Sequence, residues 1–127
     1  MTSSKKIQVL VIDDDEAMIE LLEGCLSKIG YEVTTAPDGL KGINAAEKMK
    51  PDLVILDLLM PGMHGFDVCQ KMRENPNLLD TKILISSGKG YAVDVKAAKL
   101  LGADDYIVKP YEIQILFDQV EALVGKP

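Results

Sequence analysis

Carboxylate side chains follow two apolar runs of the sequence, and they are the side chains best placed to do chemistry. The run Val9 to Ile12 leads directly into the acids Asp13 to Glu16, and a later apolar run ends at Asp57. Converging carboxylates repel one another unless a hard cation such as Mg2+ screens them. Acids at this place can also cap a helix by accepting hydrogen bonds from its free backbone N–H groups. The first stretch alone favours capping, so the rest of the chain must decide.

A hydroxyl group and an ammonium group follow two further apolar runs. Ser86, Ser87 and Gly88 come at the end of the fourth run, and Lys109 follows the fifth run and precedes Pro110. Taken alone, a Ser-Ser-Gly segment is most often a turn, and a Lys before Pro is most often a surface residue. Their interpretation therefore depends on where the fold places them.

The segment "DLLMPGMHG", residues 57–65, is predicted to be a loop of fixed shape. Pro61 and the two glycines restrict its backbone, and Met60 and Met63 are expected to turn inward and anchor it. His64, the single histidine of the chain, is expected to be an exposed loop residue.

Short apolar runs alternate with amphipathic segments along the chain. The runs "IQVLVI", "YEVTTA", "DLVILD", "KILIS" and "DDYIV" predict five strands. Apolar residues at helical spacing predict helices between and after them, over residues 18–29 with a stop at Gly30, 40–49, 66–73, 91–101 with a stop at Gly102, and 113–123. Five β-α units in alternation predict a parallel sheet with helices on both faces.

The predicted topology brings the separate polar groups to one place. The first and third strands are continuously apolar, as expected for central parallel strands that are covered on both faces. Because parallel strands point the same way, Asp13, Asp14 and Asp57 should lie at the same carboxyl edge of the sheet. Ser87 and Lys109 follow neighbouring strands and belong to the same edge. The shared edge favours a cation site over capping for the first acids.

Length and charge restrict the class of protein. The 127 residues fit one domain, predicted as residues 1–127 with a core from 5 to 124. Fourteen basic and twenty acidic residues give a net charge of −6, so we expect no direct nucleic-acid binding. The start "MTSSKK" is not followed by an apolar signal segment, and no stretch is apolar enough to span a membrane. We therefore expect no membrane association.

The two cysteines indicate the redox environment. Cys25 and Cys69 lie in predicted helices without a CxxC motif or a nearby histidine, and we expect both to be buried thiols. This expectation fits a cytoplasmic protein.

The combination of motifs resembles the receiver domain of two-component response regulators, over residues 5 to 124. The motifs occur in order along the chain: the acid pair Asp13-Asp14, the loop D-x-x-M-P-x-M-x-G that begins at Asp57, the hydroxyl of Ser87, Tyr106, and Lys109-Pro110. The resemblance implies a flavodoxin-like (βα)5 fold, an α/β three-layer sandwich whose parallel sheet has the order 2-1-3-4-5.

The resemblance also implies a chemical role for each residue of the edge. Asp57 would accept a phosphoryl group from the phosphohistidine of a sensor histidine kinase or a phosphotransfer protein. Mg2+ would bind Asp14, Asp57 and the backbone carbonyl of Leu59 directly, and Asp13 through water. Lys109 would pair with a phosphoryl oxygen. No other cofactor is expected.

A switch between two surfaces follows from the same resemblance. The Ser87 hydroxyl would bind the phosphoryl group, and Tyr106 would move inward to fill the vacated space. The fourth helix, fifth strand and fifth helix would form the partner-binding face, which is a possible homodimer interface. The Lys109-Pro110 bond is expected to be cis, and Asp15 or Glu16 can still favour the start of the first helix.

Other readings of the same residues predict different functions. A pseudo-receiver would serve only protein contacts, but it need not keep the acids, hydroxyl and ammonium together. An aspartyl phosphatase that depends on Mg2+ uses the pattern D-x-D, whereas Leu58 and Leu59 follow Asp57. A flavin-binding module would need a Gly/Ser/Thr-rich phosphate-binding loop after the first strand, and the sequence has acids there instead.

The resemblance predicts a regulatory domain, not an enzyme, which promotes only its own phosphorylation and slow dephosphorylation. The sequence leaves open whether it is a complete single-domain regulator or the receiver of a longer chain. The downstream effector or fused output domain is not identified.

Overall fold

Five parallel strands form one sheet in the computed structural model of the protein, which describes residues 6–127. Lys5, the first residue of the predicted core, lies outside the described residues, as do residues 1–4. The strands are Gln8–Ile12 (β1), Glu32–Ala36 (β2), Leu53–Asp57 (β3), Lys82–Ser87 (β4) and Asp105–Val108 (β5). Their order is β2-β1-β3-β4-β5, which confirms the predicted order 2-1-3-4-5.

Five helices cover the two faces of the sheet. They are Glu16–Ile29 (α1), Gly39–Met49 (α2), Gly65–Glu74 (α3), Ala92–Leu100 (α4) and Ile113–Val124 (α5), and a short 3-10 helix at Pro76–Leu78 was not predicted. Helices α1 and α5 pack on one face, and α2, α3 and α4 pack on the other. The predicted three-layer α/β sandwich is confirmed. None of the helices within residues 6–127 is long and apolar enough to cross a membrane.

The central strands are apolar on both faces because both faces are covered. In β1, Leu10 and Ile12 enter the core beneath α2, α3 and α4, whereas Val9 and Val11 enter the core beneath α1 and α5. Strand β3 is buried along its whole length. Burial of these side chains provides the main driving force for folding and fixes the strand ends that carry the acids.

Local signals in the sequence set the ends of the first two helices. The Asp15 carboxylate accepts hydrogen bonds from the backbone N–H groups of Ala17 and Met18, and Asp38 caps α2 in the same way. Helix α1 stops at Gly30, as predicted, because this residue adopts a left-handed conformation with φ of 119°.

Helix α4 is the least firmly held of the helices. It has nine residues, of which only Ala98 is buried. The residue that precedes it, Tyr91, occupies the N-cap position but provides no side-chain hydrogen bond to the helix start. Val93 and Leu100 project into solvent. Few buried contacts and an uncapped start make α4 the helix that can shift at the lowest cost.

Two predictions about single residues were wrong. His64 is not an exposed loop residue, since it is half-buried and its Nδ1 atom accepts a hydrogen bond from the Phe66 N–H at 3.0 Å, capping α3. Cys69 is buried as expected, but Cys25 is only half-buried; both thiols are free. The inward position of Met60 is confirmed by its burial.

Candidate functional site

Three carboxylates come together at the carboxyl edge of the sheet. Asp13 directly follows β1, and Asp57 is the last residue of β3. One oxygen atom from each of Asp13, Asp14 and Asp57 lies within 4.8 Å of the others. Asp13 and Asp57 are buried and Asp14 is exposed. A set of carboxylate oxygens at this spacing, open to solvent on one side, fits a hard divalent cation.

Lys109 supplies the positive charge of this edge. Its Nζ atom lies 2.9 Å from Asp13 Oδ2 and 3.6 Å from Asp57 Oδ1. The Lys109 backbone N–H donates to the Ser87 carbonyl at 2.7 Å, which attaches the residue to the end of β4, and the bond to Pro110 is cis, as predicted. Burial lowers the pKa of Lys109, but the hydrogen bond and charge of Asp13 outweigh burial and raise it above its usual value. The ammonium group therefore stays charged.

Asp57 is a carboxylate in an environment that disfavours its charge. Burial raises the pKa of Asp57 to about 6, against the lowering effect of Lys109. The neighbouring charges of Asp13 and Asp14 raise it further, and the Leu59 backbone N–H lowers it. A buried carboxylate beside two others gains most from a cation or from loss of its charge. Leu59 itself projects its side chain into solvent.

The acids of the opening stretch divide between helix capping and the acidic cluster. Asp15 caps α1. Asp13 turns into the site, where its Oδ1 atom accepts the Asp15 N–H at 2.9 Å while Oδ2 faces Lys109. Asp14 completes the acidic cluster. Adjacent residues therefore serve the helix and the candidate cation site separately.

The backbone of Lys89 connects Ser87 with Tyr106. The Ser87 hydroxyl is buried and accepts a hydrogen bond from the Lys89 N–H at 3.2 Å. The Tyr106 hydroxyl donates to the Lys89 carbonyl. Tyr106 is 9% exposed and packs in the core beneath α4, so its ring occupies the inward position in this structure. A shift of the loop between β4 and α4 would therefore affect both side chains.

Two residues near the site were not selected from the sequence. Ser86 is paired with Asp57 in the sheet, and its buried hydroxyl has no hydrogen-bond partner among the described residues. Tyr111 directs its hydroxyl toward Met18 Sδ at 3.7 Å. The sequence signal for Ser86 was its position beside Ser87, but only the strand register shows that it neighbours Asp57.

A comparison with protein families matches residues 9–121 to the response regulator receiver domain. Among curated relatives, the DNA-binding dual master transcriptional regulator RpaA of Synechocystis is 38% identical over 94% of this chain. The alkaline phosphatase synthesis transcriptional regulatory protein PhoP of Bacillus subtilis is 36% identical over 94% of this chain. The chain spans about half the length of these relatives, 49% of each.

A solved structure agrees in fold over nearly the whole chain. The chemotaxis protein CheY4 of Vibrio cholerae superposes with a TM-score of 0.90 at 28% identity, covering 94% of this chain and 99% of that one. This match covers nearly the whole of that solved chain, whereas the regulators are matched over half their length.

Proposed function

This chain belongs to the response regulator receiver domain family, and we propose that Asp57 is the carboxylate that accepts its phosphoryl group. The observation that carries the proposal is the position of Asp57, buried beside two other acids and 3.6 Å from the Lys109 ammonium. Receiver domains of two-component systems are phosphorylation-dependent switches. The proposal assigns Asp57 as the phosphoryl acceptor of this receiver domain.

The donor is a phosphohistidine of a sensor histidine kinase or of a phosphotransfer protein. An Asp57 carboxylate oxygen attacks the phosphorus atom, a P–O bond forms and the P–N bond breaks. The electron pair of the broken bond returns to the imidazole nitrogen, and the product is an acyl phosphate on Asp57. Lys109 then pairs with a phosphoryl oxygen, exchanging part of its contact with Asp13.

Asp13, Asp14 and Asp57 are the residues that would hold Mg2+, and the Leu59 carbonyl is the proposed backbone ligand. When bound, Mg2+ offsets the negative charges of the acids and of the incoming phosphoryl group. The chain's own contribution is to keep the carboxylates close and to exclude water from Asp57, which lies almost completely below the surface. Asp13 also keeps Lys109 at the site before transfer.

Ser87 and Tyr106 carry the signal away from the site in this proposal. A phosphoryl oxygen on Asp57 attracts the Ser87 hydroxyl, whose proton is not used by its contact with the Lys89 N–H. The Lys89 peptide then shifts, and the Tyr106 hydroxyl follows through its bond to the Lys89 carbonyl. Phosphorylation stabilises the inward Tyr106 ring that this structure contains. Helix α4, with few buried contacts, moves with the loop.

The output surface is the face formed by α4, β5 and α5. Exposed apolar side chains lie on all three elements, namely Leu100, Val108 and Ile115. Such a patch fits a protein partner or a second copy of the domain. The net charge of −6 favours protein contacts over direct contact with nucleic acid.

The domain acts as a phosphoacceptor, not as an enzyme with turnover of an external substrate, and we place it in the cytoplasm. The free thiols of Cys25 and Cys69 suit a reducing compartment.

The proposal is tested by incubation with acetyl phosphate, a small phosphoryl donor, followed by intact-mass spectrometry. We expect one added phosphoryl group in the presence of Mg2+, none after chelation, and none in Asp57→Asn. Asp67→Asn, which alters an exposed acid of α3, is the matched control and should be labelled as the parent is. A folded parent that takes up no phosphoryl group would support the pseudo-receiver reading instead.

A further inference from the structure

The hydroxyl of Ser86 is an anomaly in the core of the domain. Ser86 is 1% exposed, and its Oγ atom has no hydrogen-bond partner among residues 6–127. A buried hydroxyl without a partner costs free energy, and most buried polar groups in proteins are paired. An apolar side chain would fill the same space without this cost. The hydroxyl therefore calls for a partner that the direct contacts do not provide.

The strand register places Ser86 between β3, which ends at Asp57, and β5, which leads to Lys109. Ser86 is paired with Asp57 on β3 and with Ile107 on β5. Paired residues of parallel strands project to the same face, and side chains alternate along each strand. Ser86 therefore projects to the face of α1 and α5, as Asp57 does. Lys109, two residues beyond Ile107, projects to the same face. Leu84 and Ile107 lie in the core of that face, which supports the assignment.

Tyr111 brings a second hydroxyl to the same place. Its ring packs against the core of the α1 and α5 face, and its hydroxyl has the Met18 Sδ atom at 3.7 Å, which is a weak acceptor. Burial raises the pKa of Tyr111, and the Ser86 hydroxyl and the Lys109 ammonium act in the opposite direction. The two hydroxyls are not hydrogen-bonded to each other in this structure, since Ser86 Oγ has no partner among the described residues.

We propose that the Ser86 and Tyr111 hydroxyls form a pair, direct or bridged by one water, that positions the Lys109 ammonium for the phosphoryl group. A rotation of either hydroxyl-bearing side chain, or one bridging water, satisfies both groups at once. The pair fixes the Tyr111 ring beside Lys109, whose long flexible side chain must otherwise be ordered at each phosphorylation. Both are positioning residues, because neither touches the reacting atoms. The inference rests on the proposed function of Asp57.

The test compares Ser86→Ala and Tyr111→Phe with the parent in the binding of beryllofluoride, a phosphoryl mimic, at saturating Mg2+. We expect each variant to bind the mimic about three- to tenfold more weakly, the effect of one hydrogen bond. Affinity for Mg2+ alone should change less than about twofold, because Lys109 is not a cation ligand. The double variant should lose no more than the single variants, since either change breaks the same pair.

Thr81→Val provides the control for a loss of stability. The buried Thr81 hydroxyl donates to the Pro51 carbonyl at 2.7 Å, at the opposite edge of the sheet. This variant should be less stable and bind the mimic as the parent does. Equal mimic binding by the parent, Ser86→Ala and Tyr111→Phe would overturn the inference and leave the function of Asp57 intact. A parent that binds no mimic and accepts no phosphoryl group would remove the basis of both.

Discussion

At the scale of single residues, the site contains charges that the fold keeps close against their mutual repulsion. Asp57 is buried beside Asp13 and Asp14, and Lys109 divides its charge between Asp13 and Asp57. The Lys109 ammonium lies 2.9 Å from Asp13 but 3.6 Å from Asp57, so the negative charge of Asp57 is incompletely balanced. Such a carboxylate gains from binding a cation or from covalent modification that moves its charge outward.

This imbalance predicts how stability depends on pH in the metal-free protein. The pKa of Asp57 is about 6 in the folded state, against the usual value of 3.8. The folded state thus holds the proton of Asp57 more tightly than the unfolded state does. The stabilisation that this proton provides is fully present below pH 3.8 and is lost as pH rises through 6. Asp57→Asn cannot ionise and should be more stable than the parent at pH 7 by about 1–3 kcal/mol.

Urea unfolding in the presence of a chelator measures the difference. The advantage of Asp57→Asn should shrink toward zero near pH 4, where both side chains are neutral. An advantage that is absent at pH 7, or that grows on acidification, would contradict the environment assigned to Asp57.

At the scale of elements, the position of the acids depends on how closely the helices approach the sheet. Helix α2 lies against β1 at Gly42, where an added Cβ atom would be only 2.7 Å from Ile12 Cγ1. Ile12 is fully buried and immediately precedes Asp13. A side chain at position 42 would therefore press on the strand end that carries Asp13. In α1, by contrast, an added Cβ at Gly24 meets nothing within 4 Å.

These two helical glycines form a matched pair of variants. Gly42→Ala should lower the free energy of unfolding by about 1–3 kcal/mol, because the added methyl group would overpack the buried Ile12 side chain. Gly24→Ala should raise it by about 0.5–1 kcal/mol, because alanine is the better helix former at an open position. Chemical denaturation of both variants checks the prediction. A Gly42→Ala variant that is at least as stable as the parent would contradict the close packing of α2 on β1.

At the scale of the whole molecule, the sequence predicts what depends on pattern and misses what depends on register. Continuous apolar runs and β-α alternation are sufficient for a parallel sheet and for bringing Asp13, Asp57 and Lys109 to one edge, whereas the strand order came from the resemblance to receiver domains. Local signals could not separate the roles of the first acids, since Asp15 and Asp13 differ only in where the chain turns. Ser86 was missed because its proximity to Asp57 follows from strand register. The capping role of His64 was missed because histidine seldom has it.

The acidic edge predicts a stabilising effect of Mg2+ on the whole domain. The melting temperature of the parent should rise with Mg2+ concentration, since a cation that binds only the folded state adds its binding free energy to stability. Asp14→Asn should melt no lower than the parent without metal, because a like charge has been removed, and should gain less from Mg2+. Thermal melts with and without Mg2+, at constant ionic strength, measure both effects. A rise in melting temperature with Mg2+ that is as large for Asp14→Asn as for the parent would contradict the cation site.

The face of α4, β5 and α5 predicts where a phosphorylation-dependent contact between molecules forms. Leu100 of α4 and Leu21 of α1 are both exposed, at 79% and 50%, so a charge at either position costs little stability. Leu100→Glu should reduce association induced by beryllofluoride, measured by sedimentation, and Leu21→Glu should not. Association that is abolished equally by both variants, or only by Leu21→Glu, would place the interface elsewhere.

The central claim is that the phosphoryl group is carried by Asp57, and chemical mapping of that group tests it most directly. The phosphorylated domain is reduced with borohydride, which converts an aspartyl phosphate to homoserine, and is then digested and sequenced by mass spectrometry. We predict homoserine at position 57, at a yield that follows the extent of phosphorylation, with Asp13 and Asp14 unchanged. Homoserine at Asp13 or Asp14, or a phosphoryl group that resists reduction and remains on Ser87 or His64, would contradict the account.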